Sequence, residues 1–326
     1  MDPEQARPAR LRAGLYRSAE ALGLYRLWVA LQAAGGELKE RLFADVVSPP
    51  RIDLNLDGAT PRASGICFFA SYSRDGVLAP YVRRYLVALR EQLDCDIVFV
   101  STAALGVPDV EWLRTVCLKV VLRENRGYDF GSWRIGLALV PDRSRYRNLF
   151  IANDSVYGPL FGMTQVLDQL AVAQPTIVGI TEGLAVTPHL QSYFVGFNRP
   201  AFTHPFFERF WRGVRFFVRK DVIVHKYEIG LSVAARRAGC RVVPLFPFRR
   251  VQDFSEKNLR IPPHYLGRVY INPSHVFWEG LFRLQCPVLK VDLLRTNPWK
   301  VDVSGLRQCL ATAGYPSELI QSGFTS

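Results

Sequence analysis

The sequence lacks the short motifs that mark several large classes of enzyme and binding protein. No G-x-G-x-x-G run follows the first predicted strand, so the usual dinucleotide-binding loop is absent, and no P-loop of the Walker A type occurs. No zinc-finger spacing, RNA-binding strand motif or glycine-rich RNA-binding loop occurs either. We therefore expect no nucleic acid partner, and a ligand site in this chain must be built in another way.

Long apolar runs and paired cysteines are also missing. No stretch reaches the ~20 consecutive apolar residues that a membrane-spanning helix needs, and the charged N-terminus has no apolar core of the signal-peptide kind. The absence of a C-x-x-C pair argues against a zinc site built from cysteine. These features predict a cytoplasmic protein with reduced thiols. The cysteines are Cys67, Cys95, Cys117, Cys240, Cys286 and Cys309.

Positive charge is the main bias of the composition, and it is concentrated in one part of the chain. The formal net charge is +12. Residues 199–250 contain 12 Lys or Arg against 3 Asp or Glu, a local surplus of nine positive charges. Such a surplus suits an anionic partner, such as acidic lipid or a phosphorylated ligand. A basic face that is simply solvated is the alternative explanation.

The sequence pattern divides the chain into three parts. Residues 1–60 are predicted to be an N-terminal extension, with a basic amphipathic helix at residues 11–31 and a linker at residues 46–61. This helix either packs on the main domain or lies on an anionic membrane surface. Residues 61–300 are predicted to form the main domain, and residues 301–326 a helical tail.

The main domain shows the alternation of strands and helices that is typical of α/β proteins. After the first predicted strand, residues 78–93 have the i, i+3, i+4 spacing of an amphipathic helix. A β-α-β order of this kind predicts a mostly parallel central sheet flanked by helices. The predicted strands are the short apolar runs at residues 66–70, 96–101, 116–122 and 149–152.

Polar clusters follow three of these strands, at the position where ligands bind in open α/β sheets. Residues 71–74 follow the first predicted strand and residues 124–129 follow the third. The fourth is followed by Asn153, Asp154 and Ser155. Because the carboxyl ends of parallel strands meet at one edge of a sheet, the clusters predict a shared site. Ordinary capped turns are the alternative, since Asn, Asp, Ser and Gly are also common turn residues.

Three further places carry side chains suited to chemistry. A partly alternating strand would line an acceptor groove with His189, Gln191 and Tyr193. Glu228 is predicted in the first turn of a helix, either as a general base or as a carboxylate that the helix dipole favours. His275 is predicted in the first turn of a helix that begins at a proline. A structural role is the alternative for both histidines.

Six segments, taken together and in order, resemble the rhamnan synthesis F family of bacterial glycosyltransferase-like proteins. They are NRGYDFGSW, NDSVYGPL, HLQSYFVGF, YEIGLS, NPSHVFWEGL and PVLKVDLLRTNP. The resemblance covers about residues 65–298. It implies a GT-A-like (Rossmann-like) fold and the transfer of a deoxysugar, typically L-rhamnose from dTDP-L-rhamnose. The acceptor would be a growing cell-surface polysaccharide or a lipid-linked glycan.

The resemblance also implies roles for individual residues. Asp154 resembles one carboxylate of the DxD motif that holds Mg²⁺ or Mn²⁺ in such enzymes, and His275 would be a second metal ligand. Ala152 and Val156 stand where a strict DxD motif would have another carboxylate, so a metal-free site that uses arginine is an alternative. Donor contacts are assigned to Ser71, Tyr72, Ser73, Arg74, Asn125, Arg126, Gly127, Asp129, Asn153 and Ser155.

The implied reaction is an inverting single displacement, with Glu228 as the base and Asp154 as the second catalytic residue. It would take place at the inner face of the plasma membrane, with peripheral contact through residues 199–250. Two alternatives are open at this point. One is a non-catalytic glycan-binding or assembly subunit with a transferase fold, and the other is a transferase that uses a UDP- or GDP-sugar.

Overall fold

Nine strands form a central sheet in the computed structural model, which describes residues 46–320. The other four strands make two small two-stranded sheets. In chain order the strands are β1 (Val46–Val47), β2 (Ile52–Asp57), β3 (Gly65–Ser71), β4 (Cys95–Ser101), β5 (Lys119–Arg123), β6 (Asn148–Asn153), β7 (Val156–Tyr157), β8 (Thr176–Gly183), β9 (His189–Leu190), β10 (Phe194–Asn198), β11 (Phe216–Phe217), β12 (Arg241–Phe246) and β13 (Leu289–Lys290).

The middle of the central sheet is parallel, and antiparallel strands join it on either side. The order is β12-β8-β10-β6-β3-β4-β5-β2, and β9 pairs with β8. The four strands β6, β3, β4 and β5 run parallel, as do β8 and β12. The pairings made by β2, β9 and β10 are antiparallel. The predicted α/β class, with a central sheet flanked by helices, is confirmed, and the sheet is mixed.

Helices fill the connections between these strands. None of the helices within residues 46–320 is long and apolar enough to cross a membrane. They are α1 (Pro80–Gln92), α2 (Val107–Val116), α3 (Tyr128–Leu139), α4 (Gln165–Leu170), α5 (Arg199–Phe202), α6 (Pro205–Gly213), α7 (Lys220–Ile223), a π-helical turn (Val224–Ile229), α8 (Gly230–Arg237), α9 (Phe248–Asn258), α10 (Pro273–Val276), α11 (Trp278–Arg283), α12 (Val291–Arg295) and α13 (Leu306–Thr312), with 3₁₀ turns at Pro263–Tyr265 and Ser317–Leu319.

Both faces of the sheet are covered, which explains why its inner strands are continuous apolar runs. All seven residues of β3 are buried. Because successive residues of a strand point to opposite faces, Phe69 packs in one core with Tyr85 of α1, and Phe68 packs in the other core with Trp133 of α3. The carboxyl ends of the parallel strands are thereby held at fixed positions along one edge.

The prediction of a linker over residues 46–61 is wrong for its middle part. Ile52–Asp57 forms β2, which pairs with β5 at the edge of the central sheet. Leu54 and Leu56 are partly buried against the core, while Asp53, Asn55 and Asp57, which alternate with them, are exposed. This one-sided alternation is typical of an edge strand, but the prolines around it favour a linker when the sequence is read alone.

Two outer segments are also part of the folded structure. The aromatic stretch of residues 205–217 contains α6, which starts at Pro205, and β11, which pairs with β1. In the tail, Leu306 and Leu310 of α13 lie in the same core as α1. The tail as far as residue 320 is therefore packed on the main domain. The helix predicted at residues 11–31 lies outside the described residues.

Candidate functional site

Asp154 lies where the ends of the neighbouring parallel strands β3 and β6 meet. Ser71, the last residue of β3, donates a hydrogen bond from its Oγ to Asp154 Oδ2 at 2.8 Å, and the backbone N–H of Tyr72 donates to the same oxygen at 2.7 Å. The Tyr81 hydroxyl of α1 donates to the Asp154 carbonyl at 2.9 Å. The structure thus brings the first and last of the three polar clusters together.

A cavity of about 330 Å³ opens beside this carboxylate. It contains Asp154 and all four residues of the cluster after β3 that were predicted to bind the donor. It also contains Arg295, at the end of α12, to which no role was assigned from the sequence. The wall consists of Ser71, Tyr72, Ser73, Arg74, Asp75, Val77, Leu78, Ala79, Tyr81, Val82, Leu105, Asp154 and Arg295.

The environment of Asp154 opposes its negative charge. Burial raises its pKa to about 7, and the nearby carboxylate of Asp129 acts in the same direction. The hydrogen bonds from Tyr72 and Ser71 and the charge of Arg295 act against this rise in pKa. A carboxyl group with this pKa is about half ionised at neutral pH, and a cation bound beside it would favour the ionised form.

The cluster after β5 joins the same site through Asp129 in the first turn of α3. Asn153 Nδ2 donates a hydrogen bond to Asp129 Oδ2 at 2.8 Å, and Asn153 Oδ1 accepts one from Ser155 Oγ at 2.6 Å. Burial raises the pKa of Asp129, and the charges of Lys290, Lys220 and Arg123 oppose that rise. Two carboxylates, Asp129 and Asp154, therefore lie on either side of Asn153.

A buried arginine, Arg123, builds the loop that precedes α3. Its guanidinium donates to the carbonyl oxygens of Glu124, Arg126 and Tyr128, and burial lowers its pKa to about 10. Gly127 adopts a left-handed conformation, with φ at +79°, and a Cβ there would lie 2.5 Å from a ring atom of Phe216. Gly127 is thus required by the turn, whatever its predicted contact with a donor.

Two of the predicted donor residues, Arg126 and Asn125, lie on the loop before α3 and are not bonded to the residues around Asp154 within the described part of the chain. Arg126 forms an ion pair with Glu124 at 2.7 Å and donates a hydrogen bond to Ser48 at 3.1 Å. Asn125 is exposed on the loop. Neither side chain is bonded to the Asp154 cluster within the described residues, so the positive charges of the cavity beside Asp154 are those of Arg74 and Arg295.

Glu228 lies in the middle of a helical segment and not in a first turn, so that part of its prediction is wrong. It belongs to the π-helical turn between α7 and α8, a local widening that is frequent at functional sites. Its Oε2 accepts hydrogen bonds from the Ser192 N–H at 2.8 Å and from the Ser192 hydroxyl. Its Oε1 is 3.9 Å from His189 Nε2. The alternative of a carboxylate placed by a helix dipole is thereby removed.

The other two predicted acceptor residues are bonded inside the protein. Gln191 and Tyr193 both bond to the hydroxyl of Thr181, each at 2.6 Å. Gln191 also donates to Asn272 at 3.1 Å and accepts from Ser274 at 2.6 Å. Both side chains are buried. Of the three predicted acceptor residues, only His189 stands directly beside Glu228.

His275 is buried, and neither of its ring nitrogens has a hydrogen-bond partner in the described part of the chain. Burial lowers its pKa to about 4, the charge of Lys290 lowers it further, and Asp292 opposes these effects. A metal ion at this imidazole would face the ammonium group of Lys290. The predicted pairing of His275 with Asp154 around one metal therefore has no support in the geometry.

The carboxylates of Asp154 and Asp129 are the better candidates for ligands of a divalent cation. Each has one carboxylate oxygen bonded by the protein, through Ser71 and Tyr72 or through Asn153, and the other oxygen has no such bond within residues 46–320. Carboxylate oxygens are the ligands that Mg²⁺ prefers. No group of three or more His, Cys, Asp or Glu side chains suited to a metal occurs in the described residues, so phosphate oxygens or water would have to complete the coordination.

Lys290 was not predicted, although its ammonium group bonds to the cluster after β6. Its Nζ donates to Ser155 Oγ at 3.1 Å and stands 4.7 Å from the centre of the Tyr193 ring. Burial lowers its pKa, while the charges of Glu228, Asp292 and Asp129 oppose that change. The ammonium group of Lys290 thus bonds to Ser155 and lies near the carboxylates of both Asp129 and Glu228. The sequence signal that could have identified Lys290 is the presence of a lysine within the mostly apolar segment PVLKVDLL.

Three known proteins are similar to this chain in sequence or in structure. Virulence protein VirA from Vibrio anguillarum is 28% identical over 250 residues, which cover 72% of this chain and 80% of that protein. Mannosyltransferase PcManGT from Pyrobaculum calidifontis, solved with GDP-Man and Mn²⁺, is 16% identical, with 93% of this chain and 85% of that chain covered and a TM-score of 0.39. A putative nucleotide-diphospho-sugar transferase from Desulfovibrio desulfuricans G20 is 12% identical, with coverages of 69% and 97% and a TM-score of 0.38. Structural likenesses at these scores carry no argument about function.

The family model of rhamnan synthesis protein F matches residues 97–325. The match continues through the tail, so the resemblance extends beyond residue 298, where the sequence motifs end. It does not include residues 65–96, and the cluster after β3 therefore lies outside it. Because the match covers well over half of the 326 residues, the chain belongs to the rhamnan synthesis protein F family.

Proposed function

We propose that this protein is a glycosyltransferase that moves a sugar from a nucleoside diphosphate to a glycan. The observation that carries the proposal is the cavity at the ends of parallel strands, which is lined by Asp154, a carboxylate of raised pKa, and by two arginines. A second carboxylate, Asp129, is held nearby through Asn153. Such a combination suits a diphosphate with a bound cation. Family membership favours L-rhamnose as the sugar and dTDP-L-rhamnose as the donor.

The donor would lie across the edge of the sheet. Ser71, Tyr72 and Ser73, which line the cavity, would border the base and ribose. Arg74 and Arg295 would bind the diphosphate, and arginine is well suited to phosphate oxygens because its N–H groups form a fork. Asp154 and Asp129 would hold Mg²⁺ or Mn²⁺, which would neutralise the charge of the leaving diphosphate.

Glu228 would be the base that accepts the proton of the acceptor hydroxyl. Its Oε2 is fixed by Ser192, and its Oε1, directed toward His189, is the oxygen left to receive the proton. The charge of Lys290 opposes the rise in the pKa of Asp129, and the charge of Glu228 opposes the fall in the pKa of Lys290. Lys290 is thus near both carboxylates, and the donor sugar would lie next to its ammonium group. A base and a leaving group on opposite sides of the sugar give inversion in a single displacement.

Calorimetric titration with dTDP, UDP and GDP, each with and without Mn²⁺, tests the donor site. We expect dTDP to bind most tightly, and we expect Asp154→Asn to abolish the gain in affinity from Mn²⁺. Asp168→Asn, an exposed carboxylate on α4, is the matched control and should bind as the wild type does. If a nucleotide binds without metal and Asp154→Asn leaves its affinity unchanged, the diphosphate contact would be assigned to Arg74 and Arg295 instead.

A non-catalytic glycan-binding subunit is the second candidate function. It is favoured by the absence, within residues 46–320, of a complete metal-ligating cluster. This alternative predicts that an acceptor glycan stabilises the protein against heat while no nucleoside diphosphate does. Stabilisation by any of the three nucleotides would count against it, and the absence of binding by all three would make it the better explanation.

A further inference from the structure

A groove of about 350 Å³ lies between α6 and α8 and shares no residue with the donor cavity. Its floor is apolar, and two guanidinium groups stand at its rim. The size lies within the range typical of sites for small ligands. The groove is lined by Phe206, Phe210, Ala234, Ala238, Arg209 and Arg237.

The shape of the groove follows from the side chains that the two helices present to each other. Ala234 of α8 and Ala238, the residue after this helix, are too short to fill the space opposite Phe206 and Phe210 of α6. The two rings are fixed by their own neighbours, since Phe210 lies 5.3 Å from Trp211 and Phe206 lies 6.5 Å from Phe207, measured between ring centres. The floor of the groove is therefore preformed.

The two arginines at the rim have uncompensated charge. Arg209 and Arg237 are both exposed, and neither has a hydrogen bond or an ion pair in the described part of the chain. The carboxylate next to Arg209, that of Glu208, is taken by Arg143 at 3.0 Å. The groove lies in the segment of residues 199–250, which has a surplus of nine positive charges. The two guanidinium groups at the rim can therefore attract an anion, and the apolar floor can cover hydrocarbon attached to it.

We infer that this groove binds the phosphate head group and the adjoining hydrocarbon of an anionic membrane lipid, and so holds the protein on a membrane surface. The guanidinium groups would bind the phosphate oxygens, and the phenylalanine rings would cover the first carbons of the chain. No donor nucleotide or sugar transfer is needed for this contact. Membrane binding and the proposed transferase activity can therefore fail independently of each other.

Co-sedimentation of the full chain with lipid vesicles tests the inference. Wild type should bind vesicles that contain phosphatidylglycerol and should not bind vesicles of phosphatidylcholine alone. Arg209→Gln/Arg237→Gln should weaken binding about 30-fold, since each arginine near an anionic surface contributes about fivefold. Arg260→Gln, another exposed arginine, removes charge outside the groove and should change binding by roughly twofold or less.

A variant that keeps the charge separates the groove from a diffuse basic surface. Ala234→Phe fills the space between the helices and should also weaken binding to anionic vesicles. A cooperative thermal unfolding transition would show that this variant is folded. Wild-type binding by Ala234→Phe, or by the double arginine variant, would overturn the inference. Stabilisation by inorganic phosphate together with no binding to anionic vesicles would also overturn it, in favour of a site for a soluble phosphate.

Discussion

The raised pKa of Asp154 makes the stability of the protein depend on pH in a predictable direction. The folded chain binds this proton with a pKa of about 7, whereas the group's ordinary value is 3.8. The folded state therefore holds the proton more tightly than the unfolded state, and the contribution of Asp154 to stability falls as pH rises from about 4 to about 7. Above that range the ionised carboxylate is a fixed cost to folding.

Asp154→Asn removes the titration and keeps the shape of the side chain. The amide oxygen can still accept the hydrogen bonds from Ser71 and Tyr72 that Asp154 Oδ2 accepts now. With ~1.4 kcal/mol for each pKa unit, the variant should gain on the wild type by about 2.5 kcal/mol between about pH 5 and about pH 8. This figure is an upper limit, because Asp154 keeps some contact with solvent.

Urea denaturation of both proteins at the two pH values, without divalent cations, measures the effect. Subtracting the free energies of unfolding of the two proteins cancels the contributions of groups that titrate in both. The variant Asp168→Asn shows the effect of losing an exposed carboxylate. A difference in the free energy of unfolding between Asp154→Asn and wild type that is the same at both pH values would refute the reasoning. It would mean that the carboxylate is solvated as freely as in the unfolded chain.

Three further predictions follow from the site and its loop. Glu228→Gln should lower kcat by about 10²- to 10⁴-fold and leave nucleotide affinity unchanged, as isothermal titration can show, because it removes only a proton acceptor. Lys290→Met should lower turnover on the order of 10²-fold while dTDP still binds, and equal loss of dTDP binding would place Lys290 at the nucleotide instead. Gly127→Ala should cost at least about 2 kcal/mol of stability, since the left-handed conformation and the contact with Phe216 both oppose a Cβ. Gly213→Ala, where a Cβ meets no atom within 4 Å, is its control, and equal urea midpoints for the two variants would contradict the prediction.

The inner strands and the meeting of the polar clusters at their ends could be predicted from the sequence because their signals are local. An apolar run followed at once by a polar cluster marks the carboxyl end of a buried strand, as at Ser71 and at Asn153. Parallel pairing of β3 with β6 then brings Ser71 to Asp154. The edge strand β2 was missed because its one apolar face acquires meaning only through its pairing with β5.

The rest of the site depends on contacts between distant parts of the chain. Lys290 reaches Ser155 across a separation of 135 residues. The apolar run around Lys290 marks it as unusual but does not indicate which residue it contacts. Arg126 was assigned to the donor because it stands in a polar cluster, whereas the neighbouring Arg123 turns inward and organises the loop. Which of two nearby arginines faces a ligand is decided by packing around the loop, and the cluster alone does not determine it.

One helical segment connects the two proposed sites. It runs from Lys220 through the π-helical turn to Arg237, with Glu228 near its middle and Arg237 of the lipid groove at its end. At 1.5 Å for each residue, nine residues separate the two along the helix by about 13 Å. A head group bound in the groove would therefore hold the base at a fixed, short distance from the membrane surface.

An acceptor carried by a lipid would gain from this arrangement, because its hydroxyl is confined to the same layer, whereas a free glycan would not. The ratio of turnover on a lipid-linked acceptor to turnover on the same glycan in solution should thus fall in Arg209→Gln/Arg237→Gln, with turnover on the free glycan unchanged. An unchanged ratio would show that the groove and the base act without reference to each other.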